Sequence, residues 1–263
     1  MIVVWLPCCR QMPDSPWVLY WPLLLVGAYL LGSIPFAQVI GRVRGVDLRQ
    51  VGTGNVGAGN LTRVSGWPWG LTAGVLDGLK GLYPVLLAES MGFTRGAAGM
   101  VGLMAVIGHN WSLFMRGRSG RGLATSVGML VALDPVLLVW TTGWSVAGWR
   151  FGGGVAGFLG WGLLPIVSAS LGRPATESIL LLALSIVLMS RRMQGNPDSP
   201  RGVRPAMRRA IFDTDPGGED FPHGADDLLT PCARTGWLGS PRSRRSYTSD
   251  SSASSSTTSS CPR

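Results

Sequence analysis

The chain alternates long apolar runs with short polar stretches rich in Gly and Arg. The first run extends from about Trp17 to Ile40, long enough to cross a hydrocarbon core. A polar, Gly-rich loop follows to about Gly66, and further apolar runs fall at about 67–90, 97–115, 123–133, 135–150, 153–171 and 174–190. Asp134-Pro135 divides what would otherwise be one overlong segment, because proline disfavours helix in the residue before it. The run 123–133 is too short to span unless tilted or buried among neighbours. The pattern predicts an all-α polytopic membrane protein with about seven transmembrane helices, two of them short, joined by glycine-rich cytoplasmic loops.

Composition agrees. Hydrophobic residues make up 46% of the 263 residues, charged residues 14%, and the mean hydropathy is +0.27. Soluble domains carry about 25% charged residues, so an ordinary cytosolic globule is excluded. The net charge is +9 and Lys80 is the only lysine among 23 basic residues, which leaves 22 arginines. These arginines flank apolar runs, as topology signals do, and so give no reason to expect nucleic acid as a partner. Cys8, Cys9, Cys232 and Cys261 lie near the termini, where they make neither a disulfide framework nor a thiolate metal site.

The chain divides into a short N-terminal segment (1–16), a membrane domain (17–192) and a polar tail (193–263). Met1 to Pro7 lacks a basic n-region and no small-residue cleavage site follows, so no signal peptide is read. The tail is rich in Pro, Gly and Arg to about residue 230 and then becomes Ser/Thr/Arg low complexity, a composition expected to be disordered.

With seven helices, one side of the membrane collects Arg42, Arg44, Arg49, Arg63, Arg116, Arg118, Arg121, Arg150, Arg191 and Arg192. The other collects Arg10, Arg95 and Arg173. The excess places the N-terminus outside, with the C-terminus and the glycine-rich loops in the cytoplasm of a plasma-membrane protein. A six-helix alternative, fusing 123–150, would carry Arg191 and Arg192 to the outside. Gly70, Gly74 and Gly78, and again Gly153 and Gly157, recur every four residues and read as close-packing faces.

Two loops on the arginine-rich side carry candidate chemistry. The first holds Arg49, Gly52, Thr53, Gly54, Asn55, Gly57, Gly59, Asn60 and Arg63. Its glycines allow positive φ angles and let amides converge on an anion. A plain flexible connection is the alternative, but linkers rarely place Asn and Arg at both ends of their glycines. The second loop is Arg116-Gly117-Arg118-Ser119-Gly120-Arg121-Gly122, leading into the run that contains Thr125. Glycine-rich backbone ahead of a helix N-terminus suits a phosphate group. Topological anchoring would account for the arginines but not for the glycines between them. Two such loops on one face suggest two phosphorylated groups brought together.

Polar residues inside apolar runs are costly and so informative. Asp77 and Lys80 stand at i,i+3, either as a structural ion pair or as part of a site. His109 and Asn110 lie near the second loop, where ligand contact competes with a satisfied core histidine. Ser33 precedes Pro35, whose ring frees backbone groups for a polar pocket. Acidic residues are scattered, so no metal site and no cofactor are expected.

Gly32-Ser33-Ile34-Pro35-Phe36, Asp47-Leu48-Arg49, Gly52 to Asn60 and Arg63 resemble the first signature of the bacterial acyl-phosphate:glycerol-3-phosphate acyltransferases. Asp77-Gly78-Leu79-Lys80-Gly81 resembles that family's second-helix motif. Gly108-His109, Phe114 and Gly120-Arg121-Gly122-Leu123-Ala124-Thr125 resemble its second signature. The resemblance covers about residues 23–190 in order and spacing. It implies acyl phosphate and glycerol 3-phosphate as substrates, lysophosphatidic acid as product, the bilayer as surroundings and no obligate protein partner. It further implies catalytic roles for Ser33, His109 and Arg121, with the loop residues, Lys80, Ser119 and Thr125 binding substrate or phosphate.

The chain departs from the family at two places. It has Ser119-Gly120-Arg121-Gly122 where Gly-Gly-Lys-Gly is usual, and arginine keeps the charge there. Arg191-Arg192-Met193-Gln194 stands where the family carries His-Arg-x-Asn. A transporter for phosphate or a phosphorylated solute is the competing reading, against which stands the absence of an evident inverted repeat. An inactive relative is a third.

Overall fold

The computed structural model describes residues 17–117, 119–151 and 153–195, with positions 202, 203 and 206. The segment 1–16, Arg118 and nearly all of the polar tail lie outside the described residues.

Proline and glycine decide where the apolar runs become helices. The first run is not continuous: α1 (Trp17–Ser33) stops before Pro35 and α2 (Phe36–Val43) restarts after it. Pro35 lacks an N–H and so cannot extend the helical ladder. The carbonyl of Ile34, turned out of the helix, accepts the Phe36 amide at 3.2 Å and the Lys80 ammonium at 2.8 Å. A distant charge thus satisfies the break that proline makes.

The loop after α2 is also more structured than its glycines suggest. It ends in α3 (Ala58–Ser65), which buries Leu61 completely and has Gly57 as its extended N-cap. The next run becomes α4 (Trp67–Ser90), with Pro68 in the first turn where the missing N–H costs nothing. Then follow α5 (Arg95–Asn110), α6 (Leu123–Leu133) and α7 (Pro135–Phe151). Asp134 caps α7, its carboxylate accepting the Val136 amide at 2.9 Å. The expected run 153–171 divides into α8 (Gly153–Gly162) and α9 (Leu164–Ser170), with Pro165 opening the second piece. The last helix, α10 (Ala175–Gln194), passes the expected domain boundary by two residues.

Small residues bring these helices close. A Cβ at Gly81 would strike the carbonyl of Thr125, and one at Gly128 the carbonyl of Gly78, so α4 and α6 pack backbone to backbone. On the other side of the bundle, a Cβ at Gly32 would strike the Ala105 carbonyl and one at Gly108 the Tyr29 carbonyl, fixing α1 against α5. Gly70 and Gly74 face Thr62 and Ala58 of α3, whereas Gly78 faces Ala124 of α6. The expected small-residue face of α4 thus serves two neighbours.

Buried apolar side chains from α1 and from every helix from α4 to α10 form one core, including Val85, Val101, Met129, Leu137, Trp161, Leu164 and Leu184. The outer faces are apolar as well: Leu23 and Val26 of α1, Val75 and Leu79 of α4, and Ile179 and Ile186 of α10 are exposed. Apolar residues at the core and at the surface of the same helices indicate a lipid rather than an aqueous exterior. Tyr20–Val43 and Trp67–Ser90 are each long and apolar enough to cross a membrane alone. The described residues form helices and turns with no strand, as the sequence predicts.

Candidate active site

The first loop is built around two buried amides. Gln38, buried on α2, accepts the Leu48 amide at 3.2 Å and donates to the Asp47 carboxylate at 2.8 Å. Asn60, buried on α3, donates to the carbonyls of Leu48 and Val51 at 3.1 and 3.0 Å and accepts the Thr53 amide at 2.9 Å. A Cβ at Gly52, whose φ is +59°, would strike the side-chain oxygen Oδ1 of Asn60. Glycine is therefore required there for conformation and for space. Arg49 folds back on Asp47, its Nη2 lying 2.5 Å from the carboxylate. The Arg49 guanidinium holds the Asp47 carboxyl well below the usual carboxylate range. Thr53 and Arg63 are exposed, and Asn55 is half-buried.

Behind this loop lies a buried charged group. Lys80 and Asp77 approach to 2.8 Å across one turn of α4, both about 2% exposed. The ammonium also sits 5.6 Å from the centre of the Phe36 ring. His109 reaches the same carboxylate from α5, with Nδ1 at 3.6 Å, beyond hydrogen-bond length. Asp77 therefore lies between Lys80 and His109.

The other edge of the imidazole meets the second loop. A Cβ at Gly120 would strike His109 Nε2 and would lie 2.9 Å from the carbonyl of Val56 in the first loop. Gly120 is thus the point where both loops and the end of α5 converge. Two residues on, Gly122 takes the left-handed conformation and caps α6. The first amides of α6 have no intrahelical acceptor and open toward the loop. Ser119 and Thr125 are buried, and Arg121 is half-buried.

Ser33 is fully buried. Its hydroxyl donates to the Tyr29 carbonyl at 2.8 Å and accepts the Leu113 amide at 3.4 Å. Its own carbonyl accepts the Ser112 hydroxyl. It thus ties α1 to the connection between α5 and α6. Among the described residues no three His, Cys, Asp or Glu side chains gather as a metal site would require.

Comparison with known proteins places this arrangement. The family described as glycerol-3-phosphate acyltransferase matches residues 22–197. The chain belongs to that family. A glycerol-3-phosphate acyltransferase of Thermus thermophilus is 45% identical over 178 residues, covering 63% of this chain and 84% of the relative. That of a second Thermus thermophilus strain is 41% identical over 204 residues, 72% of this chain and 98% of the relative. The crystal structure of PlsY, an integral membrane glycerol 3-phosphate acyltransferase, in its glycerol 3-phosphate form superposes with a TM-score of 0.61 at 32% identity. It covers 66% of this chain and 88% of that one. The lysophosphatidic acid form gives 0.60 at 30% identity. The protein is an integral membrane member of the acyltransferase family.

Within this acyltransferase the site residues predicted from sequence fall into two groups. Ser33, Lys80, His109, Ser119, Gly120, Gly122 and Thr125 are buried or nearly so around the helix ends. Arg49, Thr53 and Arg63 stand on the exposed rim, with Gly52, Gly54, Asn55 and Gly57 between them and the core. Sequence reasoning misses Gln38, whose polarity inside the first apolar run is the available signal. It also treats Arg191 as a topology charge. That residue is 7% exposed and contacts the second loop. Asn110 has no role of its own in the sequence reading beyond its place next to His109. Its side chain is fully buried against Gly122, with neither polar atom hydrogen-bonded to the protein.

Proposed function

We propose that the protein transfers a fatty acyl group from acyl phosphate to the 1-hydroxyl of glycerol 3-phosphate, for phospholipid synthesis. The observation that carries this reading is the convergence of both glycine-rich loops at Gly120 beside His109. Two anionic substrates need two anion cradles with their reacting ends close together.

In the proposed reaction the 1-hydroxyl oxygen attacks the acyl carbonyl, the bond from that carbon to the phosphate oxygen breaks, and phosphate departs. The hydroxyl proton passes to the departing phosphate, so atoms and charge balance without an acyl-enzyme. Ser33 suits a structural hydrogen-bonding role, because its hydroxyl is engaged with Tyr29 and Leu113. His109 orients substrate from its Nε2 edge. Arg121 and the amides around Gly120 and Gly122 neutralise one phosphate. The loop from Gly52 to Gly57 holds the other through its turned backbone, with Arg49 and Arg63 on the rim. Asn60 shapes that cradle, since its amide is occupied by Leu48, Val51 and Thr53. Lys80 and Asp77 hold the α1–α2 break and the imidazole in register.

The reading includes seven spans, with the N-terminus outside and the loops cytoplasmic. The decisive experiment incubates purified protein with acyl phosphate and labelled glycerol 3-phosphate and follows lysophosphatidate. Wild type is expected to form it. Arg121→Ala should lower turnover roughly ten- to a hundredfold, as loss of a charged hydrogen bond does. Arg121→Lys should keep most of the activity. Solute uptake without lysophosphatidate would refute the proposal in favour of a transporter, and neither activity would indicate an inactive relative.

A further inference from the structure

The last turn of α10 grips the second loop. Arg191 Nε donates to the carbonyl of Gly120 at 3.2 Å and Nη2 to that of Ser119 at 2.7 Å. Its Nη1 donates to the carbonyl of Gly195 at 3.2 Å, which braces the guanidinium against the end of its own helix. Three residues further, Gln194 accepts the Trp111 indole N–H at 3.0 Å. Trp111 is the first residue beyond α5, and Ser119 and Gly120 lie just before α6. Both ends of the α5–α6 connection are therefore held by one helix turn.

Chemistry explains why arginine suits the position. Two adjacent buried carbonyls need donors, and a planar guanidinium spans both at once. A lysine carries its donors on one flexible stem without that planar fork, so it does not fix two adjacent carbonyls in a single geometry. Arg191 and Gln194 stand three residues apart, so both side chains leave the same turn of α10. In this chain those two positions make a clamp.

We propose that Arg191 is a positioning residue for acyl transfer. By holding the carbonyls of Ser119 and Gly120 it fixes the backbone from which Arg121 meets phosphate and keeps Gly120 against His109. The inference rests on the assignment of the second loop as a substrate cradle.

Two readouts on detergent-purified protein test it. The first is amide hydrogen exchange across residues 117–123, which needs no activity. Arg191→Lys should speed exchange there at least tenfold while α4 and the core of α5 stay unchanged. The second is steady-state kinetics, where Arg191→Lys should lower kcat roughly tenfold or more with KM for glycerol 3-phosphate within about threefold. Combining Arg191→Lys with Arg121→Ala should cost no more than Arg121→Ala alone, because both act through one element. Unchanged exchange would overturn the clamp, as would a rise in KM at intact kcat or additive losses in the double variant. Failure of Arg191→Lys to purify as one monodisperse species would also overturn it, by making the residue a requirement of the fold. A wild type without acyl transfer would refute the proposed function, and the exchange measurement would still decide the clamp.

Discussion

Asp47 shows how much of a loop one carboxylate can hold. It takes the Gln38 amide from α2, the Arg49 backbone N–H and the Arg49 guanidinium. The guanidinium beside it holds its pKa below the usual carboxylate range. A carboxylate with a depressed folded value stabilises the protein above its unfolded value of about 3.9 and loses that stabilisation as pH falls through the folded one. Arg49 is 40% exposed, so screening limits the pair to roughly 0.2–1 kcal/mol. The difference in thermal midpoint between wild type and Asp47→Asn should therefore be constant from about pH 5 to 8 and shrink only below about pH 4. A difference already closing between about pH 7 and 5 would contradict the assignment. Asn110 presents the opposite case. A buried side chain with no protein partner for either polar atom is a cost to stability, and its place under Gly122 associates that cost with the site.

At the scale of the element, glycine decides how near two helices come. Gly128→Ala puts a methyl group into the Gly78 carbonyl, whereas Gly143→Ala meets nothing within 4 Å. The first should lower stability by roughly 1–3 kcal/mol, as overpacking does. The second should leave it within about 0.5 kcal/mol. Thermal unfolding in detergent distinguishes them, and equal effects would contradict a backbone-to-backbone α4–α6 contact. The sequence makes such elements legible wherever the signal is local. The runs 67–90 and 123–133 coincide with α4 and α6, because Pro68, Gly122 and Asp134 punctuate them. The break at Pro35 is visible as a proline but not as two helices, since its completion depends on Lys80, 46 residues away. The α3 helix is hidden among glycines, as only Leu61 and its packing onto α4 give it a core. The two loops are legible from their Gly and Arg content. The clamp of Arg191 is not, because its carbonyl acceptors lie 71 and 72 residues away and carry no side-chain signature.

For the whole molecule the arginine count and the tertiary contacts both support the proposed seven-span arrangement. Arg173 pairs with Asp134 at 2.8 Å, Arg95 approaches Glu177 at 4.0 Å, and Arg95 also donates to the Leu133 carbonyl. These contacts join the α4–α5, α6–α7 and α9–α10 connections at one end. At the other end Arg191 joins the C-terminus of α10 to the α5–α6 connection. Chain reversal at Asp134 is what separates seven spans from six, since fusing 123–150 would send everything after it to the opposite side. A cysteine-free background, with Cys8, Cys9, Cys232 and Cys261 replaced by serine, allows single reporters at exposed sites. Ser90→Cys and Thr176→Cys should react with an impermeant maleimide in intact cells, and Gln50→Cys only after lysis, all three positions being exposed. Ser90 reacts outside in both arrangements, so it reports that the reagent and the insertion are sound. Thr176 decides between them: protection in intact cells would require the six-span chain and would set Arg191 on the opposite side from the second loop, whose carbonyls it holds. Labelling of Gln50→Cys before lysis would invert the protein altogether and set its acyl-accepting face outside.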